Sequence, residues 1–246
     1  MSSLPACDPA VIRAVLFDIN GTLRRRVPDE AWQRQGRARL AKLLGEPELS
    51  TGTIEELTRR YKTYTHWADE KGVNLPEAEI WRRWIAPERP PEGITNQAVE
   101  LTVALRDCRG RTILKPDAAG VVVELHRRGY RLGVISNSPS TVDIPRFLED
   151  CGLAGHFEAV VLSSLYGVRK PDPSIFHEAA RRMQVEPQHC AYVGNKPACD
   201  VAGPRRAGYA LTVLVDAKQA DPRQQPDCSV QALGELLELF PPRPAA

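Results

Sequence analysis

The chain has 246 residues, which is enough for one large domain or for a core with a smaller accessory domain. Its net charge of +2 and its 42% hydrophobic and 26% charged residues are ordinary for a globular protein, and this balance excludes a charge-driven nucleic-acid or membrane binder. The six cysteines form no C-x-x-C pair and no zinc-spaced Cys/His cluster, and neither a signal peptide nor a membrane-spanning run is recognisable. We therefore expect unpaired thiols and a cytoplasmic location.

The first predicted element is an apolar strand, Val11–Phe17, which ends at Asp18. Residues 28–111 differ in character, because helical spacing recurs there and no convincing strand interrupts it. The predicted helices are Asp29–Leu44, Thr53–Asp69, Pro76–Trp84 and Asn96–Leu105. We interpret the four tryptophans of this stretch as its small core and not as a substrate platform: Trp32, Trp67, Trp81 and Trp84. The sequence thus predicts a helical insertion, residues 28–111, within a core formed by residues 1–27 and 112–246.

After Pro116, strands and helices alternate. The predicted strands are Arg131–Ile135, Phe157–Leu162, Cys190–Val193 and Ala210–Val215. The predicted helices are Ala118–Arg128, Thr141–Cys151, Ser174–Gln184, Asp200–Ala207 and Leu233–Leu239, with a loop at Asp221–Asp227 and a proline-rich tail at Pro241–Ala246. This alternation predicts an α/β fold, a doubly wound parallel sheet with helices on both faces. Ligands bind beyond the carboxyl ends of such strands, so the residues after each strand are candidates for a site.

Four segments at predicted strand ends carry side chains suited to phosphate chemistry. In Phe17–Leu23, Asp18 stands at a strand tip, where a carboxylate can attack phosphorus or bind a metal, and Gly21 permits the turn. An Asx-type turn is the structural alternative, whereas a calcium loop is excluded by the position of the glycine and by the preceding strand. The second segment, Ile135–Ser138, offers a hydroxyl and backbone N–H groups to phosphate oxygens, although loop capping would also explain it.

The third segment is Arg169–Phe176. Asp172 is suited to cap the next helix, which leaves Lys170 unexplained unless it holds the charge of a nucleophile and a phosphate. In the fourth segment, Val193–Asp200, the side chains of Asn195 and Asp200 follow a strand and can hold a hard cation, or simply form a loop with a helix cap. All four segments occur at strand ends in one order, which chance would rarely produce. The run 24–26, three arginines, is interpreted as a solvated basic turn, with attraction of anionic substrates as the alternative.

Together these segments, over about residues 11–215, resemble the signature of the haloacid dehalogenase-like (HAD) superfamily. That signature is an Asp-x-Asp-Gly-Thr strand end, a Ser/Thr strand end, a Lys-Pro before a helix and a final Gly-Asp-x-x-x-x-Asp, and the insertion resembles the type C1 helical cap. The resemblance implies a Rossmann-like core, attack on a phosphate monoester, an aspartyl-phosphate intermediate and Mg²⁺ as cofactor. It assigns Asp18, Asn20 and Lys170 to catalysis, Gly21, Thr22, Ser136 and Asn137 to substrate binding, and Asp18, Asn20, Asn195 and Asp200 to the metal.

Two positions depart from the family pattern. Asn20 stands where the phosphatases have a general acid/base Asp, a group that contributes roughly 10²–10⁴-fold, and Asn195 replaces a metal-binding Asp. The carbonyl oxygens of both residues can still bind a metal. The sequence therefore predicts a slow magnesium-dependent phosphatase for a small phosphorylated substrate, with a catalytically degraded binding or regulatory protein as the alternative. A 2-haloacid dehalogenase is less favoured, because that branch carries an aromatic residue where Asn20 stands and a differently spaced last motif.

Overall fold

A computed structural model describes residues 11–216 and 221–243, so Cys7 and positions 244–246 of the predicted tail lie outside the described residues. The main strands are β1 (Ala14–Phe17), β4 (Arg131–Ser136), β5 (Ala159–Leu162), β6 (Cys190–Gly194), β7 (Leu211–Val215) and β8 (Cys228–Val230). They form one parallel sheet with the order β5-β4-β1-β6-β7-β8. The predicted doubly wound α/β fold is confirmed.

Helices cover both faces of this sheet. They are α5 (Ala118–Arg127), α6 (Asp143–Asp150), α7 (Ser163–Tyr166), α8 (Pro173–Arg182), α9 (Pro197–Asp200), α10 (Ala202–Arg206) and α11 (Leu236–Leu239). Alternate residues of β1 enter two different apolar clusters: Val15 and Phe17 pack into one, Ala14 and Leu16 into the other. A strand buried on both faces reads as a continuous apolar run, which is why β1 was recognisable in the sequence.

A helical segment follows β1, with an apolar cluster of its own. It comprises α1 (Glu30–Leu43), α2 (Thr51–Lys71), α3 (Glu77–Ile80), a π-helical turn (Trp81–Ile85) and α4 (Pro91–Asp107). Trp81 is fully buried in the cluster, and Trp67 and Trp84 pack against it. The small-core interpretation is confirmed for these three tryptophans. It is wrong for Trp32, which is 36% exposed and lies under the guanidinium of Arg111.

The sequence did not predict the antiparallel pair β2 (Arg24–Val27) and β3 (Arg111–Leu114), which joins the two ends of the helical segment. The expected solvated turn at residues 24–26 is therefore wrong. Those residues form a strand, and Arg24 is only 3% exposed. Three successive arginines give no apolar periodicity, so the pattern gave no signal for this strand.

Two further sequence predictions concern the whole chain. The five cysteines within the described residues are free thiols, as predicted: Cys108, Cys151, Cys190, Cys199 and Cys228. None of the described helices combines the length and the hydropathy needed to cross a membrane.

Candidate active site

Parallel pairing brings the ends of three strands together. Phe17 of β1 pairs with Val134 of β4 on one side and with Val193 of β6 on the other. Asp18 and Ser136 therefore lie at the same edge of the sheet, and the N–H of Asp18 donates to the carbonyl of Val193 at 2.9 Å. This edge, flanked by strands reached through separate crossovers, is where doubly wound sheets bind ligands.

Lys170 connects the predicted nucleophile with the last motif. Its Nζ donates to Asp18 Oδ1 at 2.8 Å and to Asp200 Oδ1 at 2.7 Å. It also donates to the hydroxyl of Tyr192 at 2.7 Å, and that hydroxyl donates to the carbonyl of Ile135 at 3.0 Å. Lys170 and both carboxylates are at most 6% exposed. The site is thus a buried ionic network in which every ammonium proton has an acceptor.

The pKa values of this network reflect burial and mutual attraction. Burial raises the pKa of Asp18, and the charge of Lys170 opposes that effect. Burial alone would lower the pKa of Lys170, but Asp18 and Asp200 raise it well above its ordinary value. Lys170 is therefore a fixed positive charge. Two carboxylates with one ammonium leave one negative charge, and a buried unpaired charge is costly, so a cation would stabilise this trio.

Asn137 links the second of the four segments to the third, which contains Lys170. Its Oδ1 accepts from the backbone N–H of Lys170 at 2.8 Å, and its Nδ2 donates to the carbonyl of Lys170 at 2.9 Å. The side chain of Asn137 is therefore used to position Lys170. The neighbouring N–H of Ser138 is also engaged, because it donates to Ser163 Oγ at 3.0 Å.

Asn20 is held by a buried arginine. Its Oδ1 accepts from Arg24 Nε at 2.9 Å, and its Nδ2 lies 3.5 Å from Ser136 Oγ. The same guanidinium donates twice to Asp143, at 3.1 and 2.6 Å. Arg24 thus fixes the orientation of an amide that has no proton to exchange with a leaving group.

The fourth motif folds back on itself around Asp200. Asp200 Oδ2 accepts the backbone N–H groups of Asn195, at 3.0 Å, and Lys196, at 2.9 Å. A Cβ on Gly194 would lie 2.3 Å from Asp200 Cβ, so only glycine fits there. Gly21, with φ +92°, lies directly under the Asn195 side chain, since a Cβ would stand 2.2 Å from Asn195 Nδ2. The first and last motifs are therefore in contact.

Several oxygens in this region fit a hard cation. Asn195 Oδ1 is buried and has no hydrogen-bond partner in the described chain, and Asp18 Oδ2 contacts only Thr22 Oγ1, at 3.4 Å. The carbonyl of Asn20 accepts no backbone hydrogen bond from any described residue. No group of three or more His, Cys, Asp or Glu within residues 11–216 and 221–243 could hold a metal, so a cation here needs amide and carbonyl oxygens. Asp200 is less available as a metal ligand, because both its carboxylate oxygens already accept hydrogen bonds, Oδ1 from Lys170 and Oδ2 from two backbone N–H groups.

A cavity of about 350 Å³ lies between the strand ends and the helical segment. Of the four predicted substrate-binding residues, Gly21 and Asn137 line it. Thr22 and Ser136 are fully buried instead, with Thr22 turned towards Asp18. Asp18 is 6% exposed and does not line the cavity, although Asn20 and Gly21 do. The assignment of the four residues to substrate binding stays a prediction.

Polar contacts hold the helical segment over this cavity. Glu77 of α3 accepts from the hydroxyl of Thr141 at 2.8 Å. Arg169, next to Lys170, donates to Asn74 at 2.8 Å and pairs with Asp69 of α2 at 2.8 Å. These contacts fix one wall of the cavity relative to the strand ends.

Sequence reasoning missed three residues of this site: Tyr192, Arg24 and Glu77. Tyr192 had a weak signal, since it is the one hydroxyl in an otherwise apolar buried strand. Arg24 was interpreted as part of a basic turn, because nothing in the sequence indicates its pairing with Asp143, 119 residues away. Glu77 had no signal, because Thr141 lies 64 residues away.

A protein-family model for haloacid dehalogenase-like hydrolases matches residues 12–208. Among curated relatives, a glyceraldehyde 3-phosphate phosphatase of Methanopyrus kandleri is 29% identical over 93% of this chain and 97% of its own length. A phosphoserine phosphatase of Thermus thermophilus is 30% identical over 93% of this chain and 98% of its own length.

Solved structures share the fold. A 2-haloacid dehalogenase from Pseudomonas syringae superposes with a TM-score of 0.66 at 25% identity, over 93% of this chain and 98% of that one. A putative HAD hydrolase from Bacillus subtilis, solved with magnesium bound, superposes with a TM-score of 0.64 at 19% identity, over 93% of this chain and 98% of that one. Both similarities extend through the helical segment.

Proposed function

Because this chain belongs to the haloacid dehalogenase-like hydrolase family, we propose that it hydrolyses phosphate monoesters of small metabolites, with residues 28–111 as a helical cap. The observation that carries the proposal is the contact of Asp18 with Lys170 at 2.8 Å behind a basic cavity. The curated relatives named as phosphatases, similar over almost their whole length, support it. The free thiols accord with a cytoplasmic location, which we include in the proposal.

In the first step, Asp18 Oδ2, the oxygen not bonded to Lys170, attacks phosphorus. The bond from phosphorus to the ester oxygen breaks, and that oxygen leaves with the electron pair. In the second step, water attacks the phosphorus of the aspartyl phosphate, which releases inorganic phosphate and restores the carboxylate. Lys170 keeps its proton throughout and offsets the negative charge that collects on Asp18 and the phosphoryl oxygens.

Magnesium is the cofactor that this donor set suits. Asn195 Oδ1 and the carbonyl of Asn20, which have few or no partners of their own, would hold it beside the Asp18 carboxylate. When bound, Mg²⁺ supplies Lewis-acid neutralisation of the phosphoryl charge. Asp200 then acts mainly by fixing Lys170 and the backbone at Asn195.

The leaving group restricts which esters react well. The cavity has one carboxylate among its described lining residues, Asp143, and this is paired with Arg24 at 2.6 Å. No free acid therefore stands ready to protonate the departing oxygen. Acyl phosphates, whose leaving group needs no proton, should react faster than alkyl phosphates.

The lack of a free acid among the described lining residues also supports a second candidate function. Asn20 and Asn195 replace two carboxylates, and Arg24 holds the amide of Asn20 in place. A protein that binds a phosphorylated ligand without turning it over would tolerate both amides. We rank this behind hydrolysis, because a binding protein has no need for the buried contact between Asp18 and Lys170.

The test is a panel of alkyl phosphates, acyl phosphates and 2-haloacids, assayed with Mg²⁺ and with EDTA. Hydrolysis should require both Mg²⁺ and Asp18, so Asp18→Asn should abolish it. Asp29→Asn is the matched control, since Asp29 caps α1 without lining the cavity and Asn caps equally well. Ligand-induced thermal stabilisation without turnover would favour the binding protein, and release of halide would overturn both proposals.

A further inference from the structure

The cavity next to Asp18 is strongly basic. Seven of its described lining residues are Arg or Lys, whereas Asp143 is the only acid among them. Lys196 lies at the catalytic end, next to Asn195 and close enough for its charge to act on Asp18. The remaining six are arginines, more than one phosphoryl group requires. The question is which of these arginines already have a partner.

Three of the arginines are neutralised by the protein. Asp143 pairs with Arg24 and also with Arg106. Asp107 lies 2.9 Å from Arg106, and Arg169 pairs with Asp69 of α2. These arginines therefore belong to the structural contacts between the helical segment and the sheet.

Arg25, Arg26 and Arg109 have no such partner, since none of them has an acidic side chain within 4 Å among the residues that the structure describes. Arg25 projects from the opposite face of β2 to Arg24 and Arg26, which leaves Arg26 and Arg109 as a pair. The Arg109 guanidinium stands over the ring of Tyr61, 5.8 Å from its centre. Arg26 lies in β2 on the same face as Arg24, and Arg109 precedes β3, the strand that pairs with β2, so the two side chains reach the cavity from neighbouring positions.

The electrostatics of this pair are unfavourable without a ligand. Arg26 is open to the cavity, yet its pKa is lowered to about 10, because the surrounding protein desolvates it and because the charges of Arg109 and Arg106 repel its own. Like charges held together in this way are stabilised by an anion between them. Guanidinium groups bind carboxylates and phosphates through paired hydrogen bonds.

We propose that the substrate carries a second anionic group, a carboxylate or a second phosphate, which binds between Arg26 and Arg109 while its phosphoryl group faces Asp18. Tyr61, whose hydroxyl makes no hydrogen bond to any described residue, lies beside the two arginines and completes this anion site. A cavity of about 350 Å³ holds a molecule of a few carbon atoms. The inference rests on the proposed function for the catalytic end, but the anion site itself can be tested without turnover.

Binding is measured first, by calorimetry with a series of ω-phosphonocarboxylates of two to four carbons and with alkylphosphonates of the same length. At least one phosphonocarboxylate should bind about tenfold or more tightly than the alkylphosphonate of the same length, as expected for a charge-assisted hydrogen bond. The double variant Arg26→Gln/Arg109→Gln should remove that preference. Arg34→Gln, on an exposed arginine of α1, is the matched control and should keep it.

Turnover is measured second, with phosphoglycolate, with a bisphosphate and with 2-hydroxyethyl phosphate, which has no second anionic group. For each substrate with a second anionic group, kcat/KM relative to that of 2-hydroxyethyl phosphate should fall at least tenfold in the double variant. The substrate with the larger fall shows whether the site prefers a carboxylate or a second phosphate. If nothing is hydrolysed but the binding preference appears and then vanishes in the variant, the anion site stands and the proposed function fails. A preference that is absent, or that survives both substitutions, overturns the anion site.

Discussion

At the scale of single residues, we expect Asn20 to limit the rate of the proposed hydrolysis. Asn20→Asp should raise kcat for alkyl phosphates at least tenfold, because a carboxyl can protonate the departing oxygen and later activate water. Acyl phosphates should gain less. Arg24, 2.9 Å from the Asn20 side chain, will lower the pKa of the introduced carboxyl, so the gain should grow as the pH falls.

The measurement is kcat against pH for both substrates, with Asp18→Asn added to the same background as a control. If Asn20→Asp leaves kcat unchanged while Asp18→Ala abolishes it, another group already supplies the proton. Solvent water is then the first candidate, since the cavity offers no free carboxyl among its described lining residues.

Tyr192 is predicted to position Lys170. Tyr192→Phe removes one of the three acceptors of the Lys170 ammonium and a buried hydrogen bond to Ile135, so it should lower both kcat and stability. Tyr209→Phe is a matched control, because Tyr209 also donates to a buried backbone carbonyl but does not contact Lys170. Each variant should lose about 1–2 kcal/mol in urea unfolding, whereas only Tyr192→Phe should lose activity. Equal kcat in both variants would contradict a positioning role.

At the scale of elements, burial decides what the sequence could predict. β1, β4, β6 and β7 are buried on both faces, so their side chains form continuous apolar runs between turn residues. β2 consists mostly of arginines and β8 has three residues, so neither shows a strand pattern. Three of the four motifs were predictable because they directly follow the strands β1, β4 and β6, where topology brings them together. The expected strand-end position is wrong for the third, because α7 separates Lys170 from the end of β5.

Gly21 tests whether the first and last motifs must touch. Gly21→Ala places a Cβ 2.2 Å from Asn195 Nδ2 in a backbone with φ +92°, and that conformation alone costs about 1–2 kcal/mol for a residue other than glycine. Urea unfolding should show this loss, and activity should fall because Asn195 must move. Gly120→Ala, in α5 with no atom within 4 Å of its Cβ, should instead gain about 0.5–1 kcal/mol. A loss of the same size in both would refute the contact as its cause.

At the scale of the whole molecule, the helical segment is joined to the sheet by contacts that no local pattern encodes. Asn74 Oδ1 accepts from both Arg169 and Ser163, which lie 95 and 89 residues further along the chain. Glu77 is 6% exposed and meets Thr141 across the same junction. Such polar pairs depend on the final packing of two separate apolar clusters. Spacing could therefore predict the helices, but not how they sit over the site.

Glu77 makes this junction sensitive to pH. Burial raises the pKa of Glu77 above its ordinary 4.5, although hydrogen bonds from Thr141 oppose the shift. A carboxyl with a raised pKa in the folded state stabilises the fold fully below pH 4.5, and that contribution is lost as the pH rises through the raised value. Glu77→Gln cannot ionise and can still accept from Thr141. The difference in Tm between Glu77→Gln and the unmodified protein should therefore grow as the pH rises from about 4.5, and then level off.

Glu79→Gln is the control, since Glu79 lies two residues away but is exposed in a surface pair with Arg83. Its Tm difference from the unmodified protein should stay small, because surface pairs contribute about 0–1 kcal/mol. If the Glu77→Gln difference is independent of pH, or decreases as the pH rises, burial of Glu77 does not carry an ionisation cost. The junction would then owe its stability to Arg169 and Asn74, and loss of the Arg169–Asp69 pair in Asp69→Asn should lower Tm at neutral pH.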